Sequence, residues 1–378
     1  MRMARTLVGL DIGSSAVRAV TLTAGRTPKL VKAGAVALPR GAVEAGTIRN
    51  PRVVTDAIRT LWAEHRMRDK DVCLGVGSGS VLVRQLELDW MPPADLKKAL
   101  RYQVADLLPV SVDDANIDHV TLDEFERVDP DQGTPRRYVR ILLVATARGA
   151  VDEMVRCVQA AGLRPQIADL AAFGLVRAAA RAVSATNGTE AVVDIGADKI
   201  AVAIHTGGRP HFVRVVAGVG GSLLTQALVD RTELVWSEAE PLKHTAALPS
   251  VVLAPAATAP GTTLIDPSAP GQRLSPAEET GQLVLEGARQ LVGEIKATLD
   301  FHSSSDHERP PERLLLTGGG SRLAGFPELV QRTLGLPTRR LDPHDVLPGL
   351  VPRRKEADPM ADDPTMMVPI GLALASPA

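Results

Sequence analysis

Cysteine is scarce in this sequence, and the net charge is close to zero. Cys73 and Cys157 are the two cysteines among 378 residues. They stand far apart and form no CxxC pair, which argues against a disulfide framework or a zinc site and favours a reducing compartment. The formal net charge is -1, so the chain has no overall positive field to hold a nucleic acid or an anionic membrane.

Long apolar runs and several common catalytic motifs are also missing. No uninterrupted apolar run approaches the ~18 residues of a membrane span, and the N-terminal residues lack the apolar core of a signal peptide. We therefore expect a cytoplasmic protein without direct membrane insertion. The sequence has no GxxxxGK[ST] P-loop, no GxSxG elbow and no pair of histidines at metal-ligand spacing, which argues against the enzymes built on them.

The clearest feature that is present is an internal repeat. Residues 7–36 resemble residues 191–219 at one constant offset, and the aligned pairs are Asp11 with Asp194, Gly13 with Gly196, Gly25 with Gly208, and Arg26 with Arg209. Each copy has β-branched runs around a tight Asp-Ile-Gly turn and then a Gly-containing hairpin, which predicts successive antiparallel strands. The simplest explanation is a duplicated domain, and the length suits two or three domains.

The residues between the copies predict further elements. Residues 51–67 have a helical pattern and residues 72–77 read as a buried strand, after which GVGSGS (75–80) predicts a turn. Residues 80–145 look like a separate module, in which a strand over 80–88 leads into a helix over 93–108 and a strand returns over 138–147. Helices over 150–161 and 169–183 close the first half.

The second half begins with the second copy of the repeat and continues with helices. Ser222, after Gly220 and Gly221, is a predicted N-cap. Residues 246–273 are rich in Ala, Pro, Thr and Gly, a composition that predicts a flexible loop. Ser275 and Glu278 then form a predicted capping box. The helix that follows presents one apolar face, made of Val284, Ala288, Leu291, Ile295 and Leu299.

The repeated turns have the residues that a phosphate site needs. Small residues let backbone N–H groups converge on a phosphate, and Gly13, Ser14 and Ser15 can supply them. Asp11, at the end of the strand, is predicted to hold the shell of a magnesium ion, which prefers one or two carboxylates and several waters. The second turn is predicted to bind phosphates from the opposite side, through Asp194, Gly196, Ala197, Asp198 and Lys199.

A third glycine-rich segment lies in the last quarter of the chain. Residues 314–326 predict a strand, a glycine turn and the start of a helix. The bare backbone of Gly318, Gly319 and Gly320 can lie against an adenine or a ribose, beside Ser321, and Arg322 can stack on the base. One DIG turn alone is weak evidence for a nucleotide site. Two such turns followed by this loop make a much stronger pattern.

With these three elements the sequence resembles the actin and sugar-kinase ATPase superfamily, and within it the PilM family. The pieces that carry the resemblance cover nearly the whole chain: GLDIGSSAVRAV (9–20), ALRYQVADLLPVSVDDANID (99–118), VVDIGAD (192–198), HTGGRPHFVR (205–214), GGSLLTQAL (220–228), SEAEPLK (237–243), LVGEIKATLDFHSS (291–304), LLLTGGGSRLAGFPE (314–328) and VPIGLALA (368–375).

The resemblance implies an α/β fold of the actin-like ATPase kind. Two duplicated ribonuclease-H-like domains are expected, with an inserted subdomain of the 1C type and a reduced second insertion. The expected divisions are 1–79 with 146–188 for the first domain, 80–145 for the inserted subdomain, 189–226 with 311–378 for the second domain, and 227–310 for the smaller 2B-type subdomain.

The resemblance also implies ATP and Mg²⁺ between the two domains. It places Glu240 and Lys243 near the ribose and base, and it completes the pocket with Gly220, Gly221 and Gly318–Gly320. Asp11 and Asp194 are the expected metal ligands. No glutamate or glutamine is clearly placed to orient an attacking water, which phosphoryl transfer to water requires. We therefore expect no catalytic residues in the strict sense, and slow or absent hydrolysis.

The implied function is a cytoplasmic, ATP-binding scaffold of a type IV pilus inner-membrane complex. Its expected partner is a PilN-like single-span membrane protein, whose cytoplasmic N-terminal tail the inserted subdomain helps to receive. The partner would bring the chain to the inner face of the cell membrane. Contacts with other pilus assembly proteins and self-association stay open. The alternatives are an FtsA-like division protein and a small-molecule kinase, which would need a general base. An FtsA-like protein usually has an amphipathic membrane-binding helix, and we do not expect one here because GLALASPA has no basic face.

Overall fold

A computed structural model describes residues 7–108, 110–128, 133–182, 188–246, 275–304, 309–347, 350 and 362–375. The predicted flexible loop over 246–273 lies outside these residues except for Ala246, and so do most of the residues after Leu347 that precede the C-terminal helix.

The first domain is built on a five-stranded sheet in the order β3-β2-β1-β6-β10. Its strands are β1 (Val8–Ile12), β2 (Ala16–Leu22), β3 (Leu30–Ala37), β6 (Asp71–Val76) and β10 (Arg164–Leu170). A small hairpin of β4 (Val43–Glu44) and β5 (Thr47–Ile48) follows β3. Its helices are α1 (Pro51–Glu64), α3 (Arg148–Ala160) and α4 (Ala171–Ala182). The first two cover one face of the sheet and α4 covers the other.

The second domain repeats this sheet. The order is β13-β12-β11-β14-β15, with β11 (Thr189–Ile195), β12 (Lys199–Thr206), β13 (Arg209–Ala217), β14 (Arg313–Thr317) and β15 (Thr338–Arg340). In both sheets three antiparallel strands are extended by two parallel ones. The register repeats too, because Ile12 pairs with Val17 and Ile195 pairs with Ile200. The predicted duplication is confirmed.

A three-stranded antiparallel sheet forms the inserted subdomain. It contains β7 (Leu82–Asp89), β8 (Ala115–Val128) and β9 (Pro135–Ala147) in the order β7-β9-β8, with α2 (Pro93–Gln103) against it. The apolar side of α2 packs on the sheet through Leu96 and Leu100, and these contact a cluster with Val139, Ile141 and Leu143. The helix is shorter than the predicted 93–108, because α2 ends at Gln103 and a short 3-10 turn follows.

The helices of the second domain lie mainly on one face of its sheet. They are α5 (Gly221–Arg231), α6 (Trp236–Thr245), α7 (Pro276–Ser303) and α8 (Phe326–Leu334), followed by the short α9 (Pro343–Val346). The capping box of Ser275 and Glu278 is confirmed at the start of α7. The predicted apolar face of α7 is buried in the core of this domain, and each large aliphatic side chain there contributes about 1.5–3 kcal/mol through burial.

The predicted N-cap of α5 is wrong. Ser222 does not cap α5, because the cap residue is Gly220 and the Ser222 N–H donates to the Ala197 carbonyl at 2.7 Å. The prediction also assigned all of 311–378 to the second domain. The last helix, α10 (Met367–Ala373), instead packs on β1, β2 and α4 of the first domain.

Candidate functional site

The two Asp-Ile-Gly turns have the same geometry. In the first turn the Gly13 N–H donates to the Ala16 carbonyl at 3.0 Å, and in the second the Gly196 N–H donates to the Lys199 carbonyl at 2.9 Å. In each case the turn joins the first two strands of a five-stranded sheet. The duplicated fold therefore presents two equivalent turns at the ends of equivalent strands.

Both turns open onto one cavity of about 500 Å³ between the two domains. Most of the predicted site residues line it, namely Asp11, Gly13, Ser14, Ser15, Asp194, Gly196, Ala197, Asp198, Lys199, Gly221, Glu240, Lys243, Gly318, Gly319 and Gly320. Gly220, Ser321 and Arg322 are not among its lining residues. The fold thus brings together residues from three distant parts of the chain, 11–15, 194–243 and 318–320.

The two aspartates lie close enough to repel each other. Burial raises the pKa of Asp194 to about 6, and the charge of Asp11 adds to this, while Lys199 and Arg18 oppose it. Burial likewise raises the pKa of Asp11 against the same two cations. Two carboxylates placed together in this way fit a divalent cation, which would compensate their charge.

The walls next to the aspartates fit a phosphate chain. The Ser14 hydroxyl is buried and has no hydrogen-bond partner in the described part of the chain, so it is available to a ligand. Gly318, at a φ of +78°, approaches Asp194 so closely that an added Cβ would lie 2.2 Å from its Oδ1. Only glycine allows the third loop to lie this close to the second turn.

Glu240 and Lys243 face the cavity from α6. Lys243 is buried and its ammonium donates to the Glu240 carboxylate at 2.7 Å, to the Thr225 hydroxyl at 2.8 Å and to the Gly221 carbonyl at 3.1 Å. Burial lowers the pKa of Lys243, and its hydrogen bond with Glu240 opposes that shift. Burial would raise the pKa of Glu240, but the bonds from Lys243 and Thr225 outweigh it, so that pKa is lowered. The hydrogen bonds of Lys243 with Glu240, Thr225 and Gly221 fix the pair in place.

Asp198 and Lys199 use their polar atoms to bridge the domains. Asp198 accepts a hydrogen bond at 2.5 Å from the N–H of Ala45, in the small hairpin of the first domain. The Lys199 ammonium donates to the Gly77 carbonyl at 2.5 Å. These two bonds hold the second turn against the first domain. The role of Asp198 and Lys199 in binding phosphates remains a prediction.

Three of the predicted site residues lie outside the cavity lining. Gly220 caps α5, and the following Gly221 N–H donates to the Gly196 carbonyl at 2.9 Å, so Gly220 supports the second turn from behind. Gly319–Arg322 form a 3-10 turn that directs Ser321 inward, where its hydroxyl donates to the Gly318 carbonyl at 2.7 Å. The same turn leaves Arg322 exposed, outside the cavity lining.

A model of the family described as type IV pilus assembly protein PilM matches residues 9–258. The chain belongs to the PilM family. A model of the cell division protein FtsA matches residues 191–371. The cell division protein FtsA of Pseudomonas aeruginosa is 24% identical over 369 residues, which cover 90% of this chain and 84% of that protein.

Solved structures agree with this assignment at the level of the fold. A PilM-PilN type IV pilus biogenesis complex matches with a TM-score of 0.79 and 23% identity, over 98% of both chains. The ethanolamine utilization protein EutJ of Carboxydothermus hydrogenoformans matches with a TM-score of 0.55 and 16% identity, over 98% of this chain and 90% of that one. MreB5 of Spiroplasma citri, solved with ADP, matches with a TM-score of 0.51 and 12% identity, over 98% and 95%. The expected actin-like fold is confirmed.

Several residues of the cavity wall in this PilM-family chain were not predicted. They are Arg18, Arg40, Glu44, Trp236, His244 and Thr365. Arg18 pairs with Asp11 across the first hairpin and its Nε donates to the Thr365 hydroxyl at 2.9 Å. The position of Arg18 was readable from the hairpin, and those of Trp236 and His244 from their helical spacing to Glu240. Nothing in the sequence pointed to Thr365.

Among the described helices, none combines the length and the apolar character that a membrane span needs.

Proposed function

We propose that this PilM-family chain binds Mg-ATP in the cleft and acts as a nucleotide-loaded scaffold of a type IV pilus assembly complex. The observation that carries the proposal is the cavity itself, in which the two equivalent turns, a pair of aspartates and the glycine loop converge. A protein of the same fold, MreB5 of Spiroplasma citri, was solved with ADP and with AMPPNP, which supports a nucleotide as the ligand.

The proposed site divides the ligand among the three elements. Gly13, Ser14 and Ser15 donate to the phosphates from one side and Gly196 and Ala197 from the other. Asp11 and Asp194 hold the shell of the magnesium ion, which when bound neutralises phosphate charge. On the α6 side of the cavity, Glu240 accepts from the ribose hydroxyls, and Gly318–Gly320 lie under the nucleoside.

We further propose that hydrolysis is slow or absent. Other carboxylates that line the cavity are already engaged within the described structure: Asp198 by the Ala45 N–H, Glu44 by Arg49, and Glu240 by Lys243 and Thr225. A carboxylate held in this way is poorly placed to orient an attacking water. The scaffold needs only binding, because a ligand that prefers one conformation stabilises it without turnover.

The proposed partner is a PilN-like single-span membrane protein that offers its cytoplasmic N-terminal tail. The support is that a PilM-PilN complex is among the structures of the same fold. We place the tail at the inserted subdomain, where Tyr102 on α2 is 85% exposed and can serve as an aromatic anchor. This contact would hold the chain at the inner face of the cell membrane.

A continuous route joins the cleft to that subdomain. Gly77, whose carbonyl receives Lys199, lies a few residues before β7. The Gly79 N–H donates to the Ala45 carbonyl at 3.0 Å, and Val83 on β7 packs with Val213 of the second domain. A nucleotide that tightens the contacts of Lys199 and Ala45 would therefore change the base of the inserted subdomain.

The test measures affinity in both directions. A labelled peptide of the cognate tail is titrated with and without Mg-ATP, and Mg-ATP is titrated with and without the peptide. Linkage requires that each ligand change the affinity for the other by the same factor. Tyr102→Ala should weaken binding of the peptide roughly tenfold, as expected for an aromatic anchor, and leave binding of Mg-ATP alone unchanged. A scrambled peptide is the control. Failure of the peptide to bind would refute the partner, and two unchanged affinities would refute the coupling.

An FtsA-like role is the second candidate. It is favoured by the FtsA model over 191–371 and by the relative in Pseudomonas aeruginosa. The PilM-type role is preferred because the PilM model covers 9–258, which includes the whole inserted subdomain.

A further inference from the structure

One face of α6 forms a wall of the cavity. Trp236, Glu240, Lys243 and His244 all line the cavity, and their spacing of four, seven and eight residues places them on the same side of a helix. Lys243 directs its ammonium to Glu240, Thr225 and Gly221, as described above. Its three donors are therefore used within the protein.

His244 differs from its neighbours because a polar atom remains without a partner. Its Nδ1 is buried and accepts or donates no hydrogen bond among the residues the structure describes. A buried polar atom in this condition is rare in native proteins, and one explanation is a ligand that supplies the missing bond. The atom belongs to a side chain of the cavity wall, so a ligand in the cavity can reach it.

The charge of His244 also limits what that ligand group can be. Burial, together with the charges of Lys243 and Arg322, lowers the pKa of His244 to about 4, although Glu240 opposes the shift. At neutral pH the imidazole is therefore uncharged, with one nitrogen as donor and the other as acceptor. Such a group suits a neutral, hydrogen-bonding partner better than a phosphate.

Asp194 and His244 have different charged neighbours. The charged residues that act on Asp194 are Asp11, Lys199 and Arg18. Those that act on His244 are Lys243, Glu240 and Arg322, and the two sets share no member. The aspartates and the two turns are the proposed partners of the phosphates and the cation, so His244 on α6 is left to contact the uncharged part of the ligand.

We propose that His244 hydrogen-bonds the nucleobase through Nδ1 and so makes the cleft select an adenine nucleotide. The inference rests on the proposed nucleotide site and adds its specificity-determining residue. Adenine offers adjacent donor and acceptor atoms on its edge, and a site that bonds such a group rejects ligands that lack it.

The test compares ligands that share phosphates but differ in the base. Binding of Mg-ATP, Mg-GTP and Mg-tripolyphosphate is measured for the wild type, His244→Ala, His244→Asn and His244→Gln. His244→Ala should weaken binding of Mg-ATP roughly tenfold, the equivalent of one hydrogen bond in a buried site, and leave binding of Mg-tripolyphosphate unchanged. His244→Asn places a polar atom where Nδ1 stood and should restore most of the ATP preference, whereas His244→Gln places it one bond further and should not.

Thr245→Ala, at the exposed neighbouring position, is the matched control and should bind like the wild type. Equal losses for ATP and tripolyphosphate in His244→Ala, or an unchanged preference for ATP over GTP, would overturn the role of His244 while the nucleotide site stands. If the wild type binds none of the three ligands, the proposed site itself is wrong and this inference falls with it.

Discussion

His205 is a fully buried histidine on β12 of the second domain. Its Nδ1 accepts a hydrogen bond from the Gly208 N–H at 3.3 Å, and its Nε2 lies 3.8 Å from Glu190, which is also bound by Arg313. Burial lowers the pKa of His205 to about 4, and the charges of His211 and Arg313 contribute. The folded protein therefore keeps this imidazole neutral.

This neutral histidine should make the protein less stable in acid. In the unfolded chain His205 binds a proton near its ordinary pKa of 6.5, but in the folded chain only near 4. Between these pH values the unfolded state holds more protons than the folded state, so the free energy of unfolding falls as the pH is lowered. The contribution of His205 to stability is fully present above pH 6.5. From pH 7 to 4.5 this group should remove roughly 2 to 3 kcal/mol.

The measurement is urea unfolding of the wild type and of His205→Asn at pH 7 and at pH 4.5, the two values compared above. The asparagine retains an acceptor for Gly208 and lacks the titration, so the wild type should lose more stability than the variant. Glu190 titrates in both proteins and cancels in the comparison. Parallel losses would contradict the account of His205.

At the residue scale the repeat predicted both Asp-Ile-Gly turns of the cavity wall. Asp194 and Gly196 followed from Asp11 and Gly13, because a duplicated strand and turn place equivalent residues at equivalent points. Arg322 lies outside the cavity lining because its direction depends on the 3-10 turn after Gly318. No periodicity in the sequence encodes such a turn.

At the scale of elements, the loop after β3 meets α6 across the mouth of the cleft. The Arg40 guanidinium stacks 3.6 Å from the centre of the Trp236 ring and donates to the Gln226 side chain at 3.0 Å. Both Arg40 and Trp236 line the cavity. This bridge joins the first domain to the helices of the second, and we expect it to open when a ligand leaves.

Arg40→Ala should therefore accelerate release of nucleotide. An exposed cation–π contact is worth about 0.5–1 kcal/mol, so dissociation should become roughly twofold to fivefold faster, with little change in the melting temperature. Stopped-flow displacement of a fluorescent ATP analogue measures the rate. Arg52→Ala, an exposed arginine on α1, is the control. Equal rates in the three proteins would show that the bridge does not limit release.

The elements themselves were unequally predictable. The helix α7 was evident from its capping box and its apolar face, which are both local signals. The strand β8 was missed because most of its side chains are exposed or only partly buried, so hydrophobic alternation is weak there. Its formation depends on pairing with β9, a partner that lies later in the chain.

At the scale of the whole molecule, the two domains are joined by more than the cleft. The helix α4 packs against strands of both sheets, and α10 returns from the second domain to the first. An added Cβ on Gly371 of α10 would lie 1.9 Å from the Gly174 carbonyl of α4, so these two helices touch backbone to backbone. The sequence could not reveal that α10 packs on the first domain. Elements that are adjacent in the chain are usually adjacent in space, and α10 follows the second domain.

Binding of Mg-ATP, measured by calorimetry, tests the central claim most directly. The wild type should bind one equivalent, and Asp11→Asn and Asp194→Asn should each weaken binding at least tenfold, about 1.4 kcal/mol. Because each change relieves repulsion between buried carboxylates, neither variant should melt below the wild type without ligand. Asp89→Asn, on the exposed end of β7, should bind normally. A wild type that does not bind Mg-ATP, or aspartate variants that bind it equally well, would contradict the account.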